Sequence, residues 1–163
     1  MTFADTAALL QTLSLACGAR RILEIGTGDA GMTKVLAATM PADGMMITME
    51  IDPAAAGRAR EQLAAAGHAD RVSVMVGDAT RFLHKVSGPF DLIFQDSDPA
   101  KYDQVLDRLV ELLRPGGLLV TATTAGGQDD PGAFSDRLSA DRRLHTAFLP
   151  VGNGVSISVK RAS

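Results

Sequence analysis

Residues Ile22 to Gly31 place Gly26, Gly28 and Gly31 in a G-x-G-x-x-G pattern, directly behind an apolar run and ahead of a longer mixed segment. Between a strand and a helix such glycines suit a nucleotide, because the backbone can turn sharply and approach a ligand with no Cβ in the way. A plain strand–helix turn would use the same glycines. Glu50 favours the ligand: it ends the next apolar run, followed by Ile51, where a carboxylate can accept hydrogen bonds from both ribose hydroxyls. Taken alone it would be a solvated loop acid. Gly77, Asp78 and Ala79 end the third run and offer a carboxylate and backbone N–H groups to an adenine ring, although an Asp there is as readily a helix N-cap. The fourth run ends in Gln95, Asp96, Ser97 and Asp98.

Groups that could move a proton are scarce, with three His, one Tyr, one Cys and no Trp. His84 and His145 stand alone in mixed segments, and His68 beside Gly67 reads as a helix-end residue meeting the dipole. Lys101 is a candidate base, against its ordinary role as a solvated lysine in a helix's first turn. Tyr102 reads as packing, and Cys17 as a small core residue.

Seven short runs must carry these residues: 22–25, 46–49, 72–76, 90–94, 118–122, 145–151 and 155–160. The first five are apolar on both faces, as in strands buried in a parallel sheet. Asp52-Pro53, Asp98-Pro99 and Asp130-Pro131 repeat an N-cap followed by proline. They predict helices that run to Gly67, to about Leu113 ahead of Pro115-Gly116-Gly117, and over Phe134–Leu144. Another helix is expected over Thr2–Ala16. Strand and helix alternating through five strands imply right-handed crossovers and a doubly wound α/β sheet. Leu149 to Val159, with Asn153-Gly154 at its turn, predicts a closing antiparallel hairpin, which a dinucleotide dehydrogenase has no reason to carry.

With 163 residues, 46% of them hydrophobic and 21% charged, the chain fits one globular domain over 1–163 rather than a disordered or fibrous polymer. The formal net charge of −3 and the lack of long runs of one sign leave nucleic-acid binding unsupported. One cysteine requires no oxidising compartment. No apolar stretch reaches the ~18 residues of a membrane span, and Asp5 stands where a signal peptide would be positive, so a soluble cytoplasmic protein is expected.

In this order the motifs resemble those of class I S-adenosylmethionine-dependent methyltransferases. From about Thr6 to Lys160 the chain is similar to the catechol and caffeoyl-CoA O-methyltransferase family. The likeness rests on Leu23–Gly28, Gly77–Ala79, Phe90–Asp98, Leu113–Gly117 and Leu149–Gly154. It implies a Rossmann-like methyltransferase fold, a seven-stranded sheet whose last strand is antiparallel, with helices on both faces. It also assigns S-adenosylmethionine as cofactor: Gly26 and Gly28 to its methionine side, Thr33 to its carboxylate, Glu50 to the ribose, Asp78 and Ala79 to the adenine, and Asp96 to the junction of cofactor and metal, with Ile51 also among the cofactor-binding residues. Glu24 is expected to anchor the glycine loop and the methionine amino group, or simply to brace the loop.

The chain departs from the family where the reaction occurs. The resemblance implies a divalent metal held by two Asp and an Asn, which lowers the acceptor hydroxyl's pKa, and a lysine base. Asp96 matches the first metal Asp, but the Asp-Asn pair falls on Ala122-Thr123 and the lysine on Pro99. No metal site is therefore expected, and Asp96 and Lys101 are the remaining candidates for catalysis. Only about twenty residues precede the first strand, whereas the resemblance implies further N-terminal helices that cover the acceptor and help form a dimer, so the acceptor pocket is expected to be shallower or completed by another subunit. Thr123–Pro131, with Gly126-Gly127 and Asp129-Asp130, reads as a mobile wall or a solvated connection. The expected activity is metal-free O-methylation of a small molecule. A weak or inactive cofactor-binding protein, a tRNA nucleoside methyltransferase and, last, an NAD-linked dehydrogenase are the alternatives.

Overall fold

The computed structural model describes residues 3–122, 131–151 and 154–162. In chain order the elements are α1 (Phe3–Ala16), β1 (Arg21–Ile25), α2 (Gly31–Thr39), β2 (Met45–Glu50), α3 (Pro53–Ala65), β3 (Val72–Val76), α4 (Ala79–Phe82), β4 (Phe90–Gln95), α5 (Tyr102–Leu112), β5 (Leu113–Ala122), α6 (Pro131–Ala140), β6 (Leu144–Leu149) and β7 (Val155–Lys160). The seven strands form one sheet in the order β3-β2-β1-β4-β5-β7-β6. β1 to β5 are parallel, and β7 runs antiparallel to both β5 and β6. Strand order reverses between β1 and β4, which makes the carboxyl ends of that pair the place where ligands bind in such sheets.

Alternation along the strands divides the core in two. Ile22, Met46, Leu92 and Val120 pack with Leu10 of α1, Leu36 of α2 and Ala59 of α3 on one face. Leu23, Ile93 and Leu119 pack with Leu106 and Leu109 of α5 and Leu138 of α6 on the other. Each such leucine, removed from water, contributes roughly 1.5–3 kcal/mol. Asp91 ties the two ends of this frame: its carboxylate accepts the Arg20 and Arg21 N–H groups at 2.9 and 2.8 Å and pairs with Arg114 Nε at 2.6 Å. Those bonds hold its carboxyl below the usual range even though burial acts in the opposite direction.

Several boundaries differ from the sequence reading, each for a local reason. β3 is not apolar on both faces: Ser73 and Val76 are exposed, because β3 is an edge strand with one neighbour. β5 begins at Leu113, not Leu118, and carries Pro115-Gly116-Gly117 within it; the register shifts where Phe90 pairs with Leu113 and Leu92 with Leu118. Asp98 caps by accepting the Ala100 N–H at 3.1 Å, but Pro99–Lys101 form a 3-10 turn before α5 starts at Tyr102. α6 stops at Ala140, and Leu144 belongs to β6, paired with Lys160. β6 ends at Leu149, opposite Val155. Gly67 takes φ +76° just past α3, the left-handed stop expected of it. Thr2, Asn153, Asp130 and residues 123–129 lie outside the described residues, so the hairpin turn, the third Asp-Pro cap and the mobile-wall reading are not described.

Candidate functional site

A cavity of about 470 Å³ opens at the carboxyl ends of β1, β2, β3 and β4. Its lining includes Gly26, Gly28, Glu50, Ile51, Asp78, Ala79, Asp96 and Lys101, so the topology brings together eight of the residues singled out in the sequence. Glu24 and Thr33, both fully buried, lie behind this wall.

The glycine turn is built by close approach. Gly26 has φ +98°, and a Cβ there would overlap the backbone carbonyl of Asp96. β1 and β4 can therefore meet at this height only through glycine. Gly28, at φ +54°, has open space where its Cβ would be, which leaves its backbone accessible from the cavity it lines.

Glu50 organises the turn from the neighbouring strand. Its Oε2 accepts the Gly28 N–H at 2.8 Å and its Oε1 accepts the Asp52 N–H at 3.0 Å. One protein bond per oxygen leaves a lone pair on each for a diol. Glu24 acts from beneath. Its Oε2 accepts the Thr33 hydroxyl at 2.5 Å and the Thr48 hydroxyl at 2.6 Å, and Thr48 meets Thr27 of the glycine turn at 2.6 Å. Because the Thr48 proton points to Glu24, Thr27 donates to Thr48, and the turn is pinned to the sheet by a relay of hydroxyls. Thr33 serves this relay and is not among the residues that line the cavity. Glu24 Oε1 has no hydrogen-bond partner. Burial, opposed by the two threonines and reinforced by repulsion from Asp96 and Glu50, pushes the Glu24 carboxyl up to about 8.

At the β3 end, Asp78 caps α4. Its Oδ1 accepts the Thr80 N–H at 3.0 Å and the Thr80 hydroxyl at 2.8 Å, while Oδ2 accepts Lys101 Nζ at 2.9 Å. Chiefly through the Lys101 bond, and then those from Thr80, the carboxyl is held down at about 2. Lys101 is thus engaged in an ion pair with Asp78 across the cavity. Asp96, in contrast, makes no side-chain hydrogen bond among the described residues, and partial removal from water raises its carboxyl above the usual range. Tyr102, nearly fully buried, donates to the Ala122 carbonyl at 2.9 Å and lies 3.2 Å from that of Ser97; burial pushes its phenol up, and its role is to tie α5 to β5.

The other singled-out residues lie elsewhere. His68 meets Arg71 at 3.3 Å, His84 and His145 are exposed, and none of them lines the cavity. Cys17 is half-buried, its thiol pushed up by burial. Among the described residues no group of three His, Cys, Asp or Glu is placed to hold a metal. Ala122 ends β5 with no side-chain oxygen, and Pro99 sits in the turn before α5. Among the described residues no helix is long and apolar enough to cross a membrane. Thr27, Thr48 and Gln95 were not identified from sequence. For Thr48 and Gln95 the available signal was a polar residue inside or ending an otherwise apolar strand run; Thr27 lies within the glycine motif itself.

A family model described as O-methyltransferase matches residues 1–161. A catechol O-methyltransferase of Niastella koreensis is 36% identical over 115 residues, 68% of this chain and 52% of that protein, so the chain spans about half of that relative's length. A putative O-methyltransferase of Mycobacterium avium is 33% identical over 94% of this chain and 75% of its own. Among solved structures, the O-methyltransferase TomG of Streptomyces achromogenes, in complex with S-adenosylmethionine, superposes with a TM-score of 0.89 at 27% identity, covering 99% of this chain and 82% of that one. With the reversed strand order and the glycine turn already in place, these likenesses establish that the chain belongs to the O-methyltransferase family.

Proposed function

We propose that this chain binds S-adenosylmethionine in the cavity at the carboxyl ends of β1 to β4 and transfers its methyl group to a hydroxyl of a small molecule without a divalent metal. The observation that carries the reading is Glu50, fixed by the Gly28 and Asp52 N–H groups with a lone pair left on each oxygen. The cavity suits the cofactor in size, since ligand pockets run from about 300 to 1,000 Å³, and in chemistry. Gly28 presents unobstructed backbone to it. When bound, the cofactor supplies an electrophilic methyl on a sulfonium, which needs alignment more than activation.

The metal does not fit. Of the three ligand positions implied by the family, Asp96 keeps its oxygens, Ala122 has none, and Thr123 offers neither a carboxylate nor an amide. A hard divalent cation requires about six oxygens and would draw too few from this wall. In its place Asp96, free of side-chain hydrogen bonds among the described residues and with its carboxyl raised, would orient the acceptor hydroxyl and take its proton while the O–C bond forms and the sulfonium S–CH3 bond breaks, S-adenosylhomocysteine being the leaving group. Lys101 is held by Asp78 in an ion pair at 2.9 Å.

Titration calorimetry with S-adenosylhomocysteine, followed by methyl transfer from S-adenosylmethionine to a panel of phenols and catechols with and without EDTA, tests the proposal. Binding with EDTA-insensitive turnover is expected, together with a loss of at least a hundredfold in kcat for Asp96→Asn at unchanged cofactor affinity. The lost ligand positions favour a second reading, a binding protein without turnover, which tight binding and no product across the panel would select. Turnover abolished by EDTA and restored by Mg²⁺ would refute the metal-free step.

A further inference from the structure

Gln95 is the last residue of β4, is fully buried and lines the cavity. Neither its Oε1 nor its Nε2 has a hydrogen-bond partner. A buried carboxamide with both ends unmet costs a few kcal/mol, and native proteins keep such a group only where something else satisfies it. Its neighbours in the sheet do not: Ile25 on β1 is apolar, and the hydroxyl of Thr121 on β5, paired with it in register, makes no hydrogen bond to it. The surroundings describe what is missing. Ile25, Met49 and Val105 belong to the apolar cluster on the α5 face and also line the cavity. They form a slot in which Gln95 contributes the buried amide, and Val105 lies one helical turn beyond Lys101, the residue that reaches Asp78. Apolar walls with one donor–acceptor edge suit a flat heteroaromatic ring.

Asp78, the adenine ligand implied by the family, is already engaged. Thr80 fills both acceptor positions of Oδ1 and Lys101 occupies one on Oδ2. We infer that the Gln95 carboxamide, rather than the Asp78 carboxylate alone, reads the hydrogen-bonding edge of the cofactor's adenine. This rests on the cofactor reading above. Adenine presents an amino donor beside a ring-nitrogen acceptor, the pair that a Gln side chain matches with its two ends. An amide differs from a carboxylate in one testable respect: rotated by half a turn it exchanges donor and acceptor, whereas a carboxylate only accepts. Hypoxanthine, with a carbonyl and a ring N–H on the same edge, asks for that exchange.

The experiment is calorimetry of the wild type and Gln95→Met with S-adenosylhomocysteine and S-inosylhomocysteine, with ligand-free melting temperatures of both proteins. The wild type is expected to bind the two ligands within tenfold of one another. Gln95→Met should bind S-adenosylhomocysteine at least tenfold more weakly while melting no lower than the wild type, because it removes an unmet buried amide without opening a cavity. A loss below tenfold in the variant overturns the inference, as does a wild type that rejects the inosyl ligand by more than tenfold. A weaker-binding variant that also melts several degrees lower assigns Gln95 a packing role and overturns it too. No binding of S-adenosylhomocysteine by the wild type is a separate result, which removes the cofactor reading itself and the inference with it.

Discussion

Replacing Glu24 by glutamine should flatten the pH dependence of stability between pH 5.5 and 7.5. The Glu24 carboxyl is fully buried and pushed up to about 8, with two threonine hydroxyls on one oxygen and nothing on the other. Over that interval the folded chain keeps a proton that the unfolded chain, with an ordinary carboxyl near 4.5, has released. Stability from this group is therefore complete below the unfolded value, falls as pH rises, and levels off above about 8. Each pH unit removes about 1.4 kcal/mol, so two units remove up to about 3 kcal/mol. For a domain of this size that corresponds to about 5–10 °C in melting temperature. Glutamine is isosteric with the protonated acid and can accept both threonine protons on its Oε1, but it does not titrate. Melting curves of both proteins at half-unit steps, without ligand, isolate the effect, since all other groups cancel in the difference. The wild type should lose several degrees relative to Glu24→Gln from pH 5.5 to 7.5. Parallel profiles would show that Glu24 is already ionised in the folded chain and would refute the reasoning from its burial.

Glu50→Ala strips the acceptor from the Gly28 and Asp52 N–H groups along with the two oxygens proposed for the ribose. Its affinity for S-adenosylhomocysteine should fall at least tenfold by calorimetry, and an unchanged dissociation constant would contradict the assignment. Gly26→Ala cannot be accommodated without separating β1 from β4, so it should either fail to fold or lose cofactor binding, read by circular dichroism and calorimetry. Asp91→Ala leaves two backbone N–H groups and a half-buried Arg114 without their acceptor and should cost about 2–4 kcal/mol in urea unfolding. Lys101→Met removes a partly exposed ion pair and should change stability by less than about 1 kcal/mol.

Much of the fold was legible because its signals are local. Apolar runs behind Gly and Asp-Pro punctuation located the strands and helices to within a few residues, and the alternation of elements implied the parallel sheet. The boundaries that moved did so for reasons of tertiary pairing. Leu113 joins β5 because Phe90 is there to pair with it. Ser73 and Val76 are exposed because no strand lies beyond β3. In the site, Gly26, Glu50 and Asp78 could be located because each ends a strand in a motif. The partner of Thr33 was not legible in the motif. Thr33 sits on the inward face of α2, where the nearest acceptor is a buried carboxylate rather than the cavity.

The sequence by itself determined the class of fold and which residues stand at the carboxyl ends of its strands, since both are matters of residue type at a fixed spacing. Only the tertiary structure decided which polar groups are already satisfied. Lys101 and Asp78, 23 positions apart, consume one another. Glu24 is spent on the relay through Thr48 to Thr27. Gln95, inconspicuous at the end of an apolar run, is left with both ends of its amide unmet in the cavity wall. Hydrogen-bond satisfaction depends on which groups come within about 3 Å of each other, and that is set by the packing of strands and helices distant in sequence.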